Sequence, residues 1–503
     1  MRSLRHGMLS FVLGAAAFLC FAPHNLFALM VLLLGAIAYL CASAPTWRQS
    51  AVLGYAFGLG YFLFGVSWVY ISMHEFGGMP VPVAAFATLV FCAYLALFPA
   101  LACAILGAQR WPAALRILVM FPALWALGEW LRGWFFTGFP WLAAGYTQIT
   151  NSGASPLGHF APLLGVYGVS WLCALSGAAI AWMARGFLDK RMAQAGAGAA
   201  LVAIVLATGA GLGQVRWTQA AGAPTSVALV QGNIEQSMKW RPEVARSTLD
   251  TYLKLALSSK QSLIILPETA LPMFSVDIPP EYFRLLGEHA KANGGDILVG
   301  VPEYAARERY YNAVMSFGTA PTQIYRKHHL VPFGDYFPKW PVLAWIMSAL
   351  QIPMSDFSRG DATQQPFSVA GQQVAANICY EDVFGEEIIR QLPQATMLAN
   401  FTNDAWWGKS NASDQHMQMS QMRAKETGRY MLRATNTGVS AIIGEDGAVL
   451  ASAAQFTQTT LEGNVQGFAG ATPFVRWGNG AFLVLAGIAV ILGAGMSLRH
   501  LRR

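Results

Sequence analysis

The chain has 503 residues, of which 55% are hydrophobic and only 12% charged, and its mean hydropathy is +0.41. These values argue against an ordinary soluble enzyme and are typical of a protein that crosses a membrane several times. The formal net charge of +7 would suit a nucleic-acid-binding protein, but many basic residues stand at the ends of apolar stretches, so we expect no nucleic-acid partner.

Apolar stretches long enough, or nearly long enough, to cross the hydrocarbon core of a bilayer dominate the first half of the chain. A further stretch lies close to the C-terminus. The sequence therefore predicts eight membrane-spanning helices, at about residues 8–22, 27–43, 51–72, 81–105, 115–130, 163–184, 194–213 and 479–497.

The distribution of arginine and lysine predicts the orientation of these spans. If the N-terminus is inside, the inner connections and both ends hold many basic residues, whereas the short outer connections hold only Arg132. We therefore expect residues 1–213 to form seven transmembrane helices. Residues 214–478 should form a domain outside the cytoplasm, which in a bacterium is the periplasm. Residues 479–503 should form the last helix and a basic cytoplasmic tail.

Ionisable side chains are scarce in the predicted spans, which argues against a transporter or pump. Glu129 and Arg132 come closest, and their spacing would let them pair on one helix face. The aromatic segment 133–141 follows them. Its simplest interpretation is an interfacial anchor, and a surface through which lipid enters is the alternative.

The outer domain alternates short apolar runs with helical patterns, which predicts a layered α/β domain with a covered sheet. The predicted strands lie at 226–234, 262–266, 297–301, 311–317, 323–325 and 396–401, with hairpins at 367–379 and 439–450. The predicted helices lie near 241–258, 280–293, 384–392 and 413–432.

Cys379 is the one cysteine in the predicted outer domain, since the other five lie in or beside apolar spans. It therefore has no partner there for a disulfide, and a free thiol facing an oxidising space needs a chemical reason. A buried cysteine acting as a small hydrophobe is the alternative. Cys379 ends a predicted strand before a predicted helix, a position that should favour the thiolate.

Two other side chains would complete an acyl-transfer site. Glu268 follows a predicted buried strand and is itself flanked by prolines at positions 267 and 272. This rigid placement suits a general base. Lys327 precedes the apolar run Leu330–Phe333, which predicts a packed loop, and is suited to stabilising an oxyanion. A solvated carboxylate and a solvated basic patch are the alternatives.

Cofactor sites are not predicted. The sequence has no glycine-rich phosphate loop, and His328, His329 and His416 do not have the spacing of a zinc site. We therefore expect neither a cofactor nor a metal.

The motifs resemble those of a known family. Pro267-Glu268-Thr269, Lys327 with Leu330-Val331-Pro332-Phe333-Gly334, and Cys379-Tyr380-Glu381 are similar to the Glu–Lys–Cys motifs of the nitrilase (carbon–nitrogen hydrolase) superfamily. Gln231-Gly232-Asn233-Ile234 with Lys239-Trp240, and Asn400-Phe401-Thr402-Asn403-Asp404-Ala405-Trp406, resemble the apolipoprotein N-acyltransferases within it. The resemblance covers essentially the whole chain.

The resemblance implies a membrane α-helical bundle joined to a four-layer α-β-β-α domain. It implies Glu268 as general base, Lys327 as transition-state stabiliser and Cys379 as nucleophile. Asp335 and Glu381 map to supporting acidic residues, although the family usually has glutamate at the position of Asp335. Trp240 and Tyr380 map to positions near the substrate, with packing aromatics as the alternative.

The implied reaction moves an acyl chain from a phospholipid through a Cys379 thioester to the N-terminal amine of a diacylated lipoprotein. The expected partners are therefore these two substrates and membrane lipids, and the expected state is a monomer in the bacterial inner membrane. A membrane-tethered amidase using water, and a non-enzymatic transporter or scaffold, are the alternatives.

The segment 340–354 is strongly apolar for a soluble domain. It is interpreted as an exposed arm that dips into the membrane interface and binds acyl chains. A core helix is the alternative.

Overall fold

A computed structural model describes residues 2–109, 111–237, 239, 241–305, 309–336 and 356–501. The chain forms two compact units. The first comprises Met1–Tyr70, Pro82–Arg216 and Arg476–Arg503, and the second comprises Ile71–Val81 and Trp217–Val475. The arm predicted at 340–354 and the predicted substrate residue Trp240 lie outside the described residues.

The first unit is built from helices that are apolar around most of their circumference, as expected for helices surrounded by lipid and by one another. Its main helices are Arg2–Ala16, Phe27–Ala42, Trp47–Gly65, Val81–Leu95, Leu97–Ala108, Phe121–Arg132, Ala161–Leu188, Met192–Leu212 and Gly480–Leu501.

Five helices in the described part of the chain are long and apolar enough to cross a membrane. A sixth candidate consists of Trp47–Gly65 and Val69–Phe76, which are bent by 58° across a short break. The first two predicted spans correspond to shorter apolar helices, Leu4–Cys20 and Phe27–Ala42. A helical membrane part is therefore present, and the number eight stays a prediction.

Glu129 and Arg132 are both buried within the first unit and anchor the chain that follows their helix. The Glu129 carboxylate accepts hydrogen bonds from the Trp125 indole at 2.9 Å and from the Ala144 amide at 3.1 Å. The Arg132 guanidinium donates to the carbonyl oxygens of Phe139 and Trp141, each at 2.5 Å. These contacts stabilise the aromatic segment against its own helix.

Two six-stranded sheets form the second unit. Their twelve strands are β1 (Thr225–Gln231), β2 (Leu263–Ile265), β3 (Asp296–Ala305), β4 (Arg309–Gly318), β5 (Ile324–Arg326), β6 (Phe367–Val369), β7 (Gln372–Ile378), β8 (Met397–Thr402), β9 (Met431–Thr435), β10 (Ala441–Ile443), β11 (Val449–Ser452) and β12 (Thr459–Val465).

The two sheets have the same internal plan. The strand order is β12-β1-β2-β3-β4-β5 in one and β11-β10-β9-β8-β7-β6 in the other. In each sheet three consecutive strands run parallel, β1 to β3 and β7 to β9, and antiparallel strands flank them. Loops that follow parallel strands gather at one edge, which is where such sheets place ligands.

Helices cover the outer face of each sheet, so the unit has four layers in the order α-β-β-α. Pro242–Ser258 and Pro280–Ala292 pack on the first sheet, and Ala412–Thr427 packs on the second. Side chains from both sheets share one core, which includes Leu229, Ile265, Ile378 and Phe401. The predicted membrane bundle plus four-layer domain is therefore confirmed at this level.

The predicted helix 413–432 was too long at its C-terminal end. The helix ends at Thr427, and Gly428 takes the left-handed conformation with φ of 63° that glycine adopts at low cost. Strand β9 follows at Met431. Buried Arg429 and Arg433 obscured this strand, since its polar residues do not look like a covered strand in sequence. Strand β12 was missed because it alternates partly exposed residues along one edge of its sheet.

We expect Leu229→Ala to destabilise the second unit. Leu229 is fully buried in the core shared by the two sheets, so truncation should lower the free energy of unfolding by about 2–5 kcal/mol. Leu450→Ala is the matched control, because Leu450 is 55% exposed and should change stability by less than about 0.5 kcal/mol. Urea unfolding of the detergent-solubilised protein, followed by fluorescence, measures both, and equal losses would contradict the shared core.

Candidate active site

Lys327 is the buried centre of the site. It follows β5 directly, and its amide donates to the Asn312 carbonyl at 2.8 Å. Its ammonium group is 2.7 Å from Asp335 Oδ2 and 3.5 Å from Glu268 Oε1. Burial opposes the positive charge, but the Asp335 and Glu268 carboxylates outweigh it and raise the pKa of Lys327 above its ordinary value.

Glu268 lies three residues beyond β2, at the edge where the parallel strands of the first sheet end. Its carboxylate is buried and accepts a hydrogen bond from Asn312 Nδ2 at 2.7 Å. The next residue, Thr269, has a positive φ of 43°, an uncommon backbone conformation for threonine. The carboxylate is thus held from two sides, by Asn312 and by Lys327.

Asp335 contacts Lys327 directly, although its side chain is one methylene shorter than the glutamate usual in the resembling family. A tight loop brings it close: the Asp335 amide donates to the Val331 carbonyl at 2.8 Å, and the Val331 amide donates to Asp335 Oδ2 at 2.8 Å. Because this reciprocal pair folds the loop back on itself, the shorter carboxylate reaches the ammonium group without an intermediary.

Cys379 follows β7 and begins a short 3-10 helix, Cys379–Val383, with a positive φ of 53°. Its sulfur is close enough to the Glu268 carboxylate and the Lys327 ammonium for both charges to act on it. The structure therefore brings Glu268, Lys327 and Cys379 together from the edges of two different sheets.

The expectation that this turn favours the thiolate is wrong for the resting site. Burial, followed by the negative charge of Glu268, raises the pKa of Cys379 well above its ordinary value, against the opposing effects of Lys327 and Thr402. The next α-helix begins only at Gly385 and has four residues, so it contributes little positive field at the sulfur. The thiol needs a base to become a nucleophile.

Glu381 joins the two halves of the site through hydrogen bonds. One carboxylate oxygen accepts from the amides of His328 at 2.7 Å and His329 at 3.0 Å. The other accepts from the Ile378 amide at 2.6 Å and the Tyr325 hydroxyl at 3.0 Å. Glu381 thus fixes the turn that carries Cys379 against the loop that follows Lys327.

Tyr380 is buried among aromatic rings. Its ring lies edge-on to Phe384 at 5.3 Å between centroids and is tilted against His329 at 6.1 Å. These contacts account for its burial by packing, and its substrate role stays a prediction.

Lys239 belongs to the site, although the sequence placed it only within a motif. Its ammonium group is buried and donates to Thr269 Oγ1 at 2.7 Å and to the Glu268 carbonyl at 3.3 Å. Burial lowers the pKa of Lys239 to about 8, against the negative charge of Glu268. No local signal distinguishes a lysine of this kind from a solvated one, because its partners come from a distant strand.

Polar side chains of the second sheet also contact Cys379. The sequence showed them only as members of the motif at residues 400–406 and did not predict these contacts. Asn400 Nδ2 donates to the Cys379 carbonyl at 3.1 Å, and the Thr402 side chain is close enough to the Cys379 thiol to lower its pKa. The turn after Thr402 is covered by the segment Ser72–Phe76, where Ser72 Oγ donates to the Trp406 carbonyl at 2.8 Å.

Among the described residues, no group of three or more histidine, cysteine, aspartate or glutamate side chains is arranged to hold a metal ion. The charged side chains around Cys379 instead pair with one another. This arrangement suits acyl transfer by a thiol with a neighbouring carboxylate and ammonium group.

Family models match both parts of the chain. The apolipoprotein N-acyltransferase N-terminal domain matches residues 13–179, and the carbon–nitrogen hydrolase model matches residues 226–474. Among solved structures, a carbon–nitrogen hydrolase from Helicobacter pylori aligns with 48% of this chain and 88% of its own, at 17% identity and a TM-score of 0.36.

Curated relatives match nearly the full length. The apolipoprotein N-acyltransferase of Nitrosomonas europaea is 50% identical over 96% of each chain. That of Chromobacterium violaceum is 45% identical over 96% of this chain and 91% of its own. These matches confirm the resemblance seen in the motifs, and the chain belongs to the apolipoprotein N-acyltransferase family.

Proposed function

We propose that this protein transfers a fatty acyl chain from a membrane phospholipid, typically phosphatidylethanolamine, to the N-terminal amine of the diacylglyceryl-cysteine of lipoproteins. The observation that carries the proposal is the juxtaposition of a carboxylate, an ammonium group and a thiol at Glu268, Lys327 and Cys379. Family membership supports the same reaction class.

The first half-reaction forms a thioester. Glu268 takes the thiol proton, and the Cys379 sulfur forms a bond to the ester carbonyl carbon of the phospholipid. Lys327 stabilises the negative charge that develops on the carbonyl oxygen. The carbon–oxygen ester bond then breaks, and the departing lysophospholipid oxygen takes the proton from Glu268.

The second half-reaction discharges the thioester. The lipoprotein amine attacks the thioester carbonyl, and Glu268 accepts an amine proton. The carbon–sulfur bond breaks as the amide forms, and the thiolate recovers its proton from Glu268. The course is ping-pong, and water must be kept out between the two steps so that the amine is the acceptor.

The supporting residues act through position. Asp335 holds the Lys327 ammonium group, and Glu381 holds the cysteine turn against the Lys327 loop. Tyr380 and Trp240 are assigned to substrate binding through the resemblance. Both carboxylate oxygens of Glu381 accept hydrogen bonds from the protein, which supports a positioning role.

The proposed topology has eight membrane spans, which suits a protein whose substrates are both lipids. Residues 1–213 would supply seven spans, 214–478 the periplasmic catalytic domain, and 479–503 the last span and its tail. The protein would act as a monomer in the bacterial inner membrane. The support is the arginine and lysine asymmetry and the run of apolar helices.

Cys379→Ala should abolish acyl-enzyme formation. Incubating the wild type with phosphatidylethanolamine alone should add the mass of one acyl group, which a diacylated peptide then removes; the variant should show no addition. Cys103→Ala, which changes a cysteine in an apolar helix, is the control and should still acylate. Intact-mass spectrometry measures all three, and no adduct on the wild type would refute the thioester.

Asp335→Asn should slow acylation about tenfold or more, because it removes a charged hydrogen-bond partner from the Lys327 ammonium group. Asp335→Glu restores the carboxylate and should retain most of the wild-type rate. The rate of acyl-enzyme formation in single-turnover reactions is the measurement. Equal rates for Asp335→Asn and the wild type would show that the ion pair is dispensable.

Lys239 should impose a pH dependence on acylation. Its positive charge near Glu268 and Cys379 is lost as the pH rises through about 8, whereas Lys239→Met lacks this charge at every pH. The ratio of wild-type to Lys239→Met rates should therefore fall between about pH 7 and about pH 9.5. Lys254→Met, at an exposed helix position, should give a ratio near one throughout, and a constant ratio for Lys239→Met would contradict this effect.

A further inference from the structure

Thr402 lies next to the reacting sulfur in a position fixed by the second sheet. Strands β7 and β8 run parallel with Ile378 opposite Phe401, so the following residues, Cys379 and Thr402, are neighbours at the same strand ends. The Thr402 side chain is buried and lies close enough to the Cys379 side chain to influence the thiol.

The Thr402 hydroxyl also contacts a buried carboxylate, with its oxygen 3.0 Å from Asp404 Oδ1. Asp404 is held by two further side chains: Arg433 Nη2 lies 2.6 Å from Oδ2, and His416 Nδ1 lies 3.1 Å from Oδ1. All of these groups are buried. Although burial opposes the charge, Arg433 and His416 hold the pKa of Asp404 below its ordinary range, so the carboxylate only accepts hydrogen bonds.

A hydroxyl group has one proton to donate and can accept in addition. While Cys379 is a thiol, the Thr402 hydroxyl donates its proton to Asp404. When Cys379 is a thiolate, the sulfur only accepts, and the hydroxyl can satisfy it by turning its proton from Asp404 to the sulfur. Asp404 keeps Arg433 and His416 when this happens, which limits the cost of the turn.

We propose that Thr402 is a catalytic residue that stabilises the Cys379 thiolate by transferring its hydrogen bond from Asp404 to the sulfur. No covalent bond changes in this step, and the thiol proton still goes to Glu268. The inference rests on the proposed function in so far as Cys379 is the nucleophile. It adds a donor on the side of the sulfur that belongs to the second sheet, whereas Glu268 and Lys327 come from the first.

The test is the pH dependence of Cys379 alkylation by iodoacetamide in the full-length, detergent-solubilised protein, read at the Cys379 peptide by mass spectrometry. Glu268, Lys327, Lys239 and Asp404 are the charged groups that act on this sulfur. Thr402→Val keeps the shape of the side chain but removes the hydroxyl. It should slow alkylation near pH 8 about tenfold and move the midpoint of the profile upward.

Thr402→Ser retains the hydroxyl and should react within about threefold of the wild type. Asp404→Asn should react faster than the wild type, because it removes a negative charge that disfavours the thiolate and weakens the competing acceptor. If Thr402 had only a structural role, Thr402→Val and Asp404→Asn would not be expected to change the alkylation rate in opposite directions. Unfolding of Thr402→Val would expose the thiol and speed its alkylation. Thr402→Ala, which also lacks the hydroxyl, then replaces it: slower alkylation supports the role of Thr402, and a wild-type rate overturns it.

Wild-type reactivity in Thr402→Val, a serine variant as slow as the valine variant, or an Asp404→Asn rate at or below the wild type would each overturn the role of Thr402. The same samples incubated with phosphatidylethanolamine separate the two proposals. A wild type that forms no acyl adduct refutes the thioester while the alkylation data still decide on Thr402. An adduct together with unchanged alkylation in the variants overturns Thr402 alone.

Discussion

A buried ammonium group is the constraint on which this site depends. Lys327 is almost completely inaccessible to solvent, and a buried charge is tolerated only with close compensating partners. Asp335 and Glu268 provide them at 2.7 Å and 3.5 Å. Each partner stands on a different loop, so satisfying this one charge draws the end of β5, the loop at Asp335 and the chain after β2 to a single point.

The second constraint is the packing of one sheet on the other. The first sheet carries Glu268 and Lys327, and the second carries Cys379 and Thr402, so no half of the domain contains a complete site. The shared apolar core holds the sheets face to face, and Glu381 joins their edges by accepting hydrogen bonds from Tyr325, Ile378 and the two histidine amides. Stability and catalytic geometry therefore have the same source.

The resting thiol is protected by the same surroundings that make it reactive. Burial and the Glu268 carboxylate keep the sulfur protonated, since an ionised sulfur beside a carboxylate in a desolvated site is unfavourable. Once the carboxylate has taken the proton, its own charge disappears, and among the charged groups only the smaller effect of Asp404 opposes Lys327 at the sulfur. In the proposed reaction, the proton transfer itself therefore changes the field around the nucleophile in the direction that the next step needs.

Local pattern alone was sufficient to predict the apolar helices and most covered strands, because the hydrophobic period is recorded along the chain. It also singled out Glu268, Lys327 and Cys379, whose catalytic roles stay predictions. It did not reveal the end of the helix at Thr427, the strand around Arg433, or the places of Lys239, Thr402 and Asp404 in the site. Their partners lie in other parts of the chain, and the sequence does not distinguish a buried charged side chain from a solvated one. The sequence determined the family of the chain and the residue types available to the site, whereas only the packing of the two sheets decided which side chains meet at the sulfur, because those side chains come from distant parts of the chain.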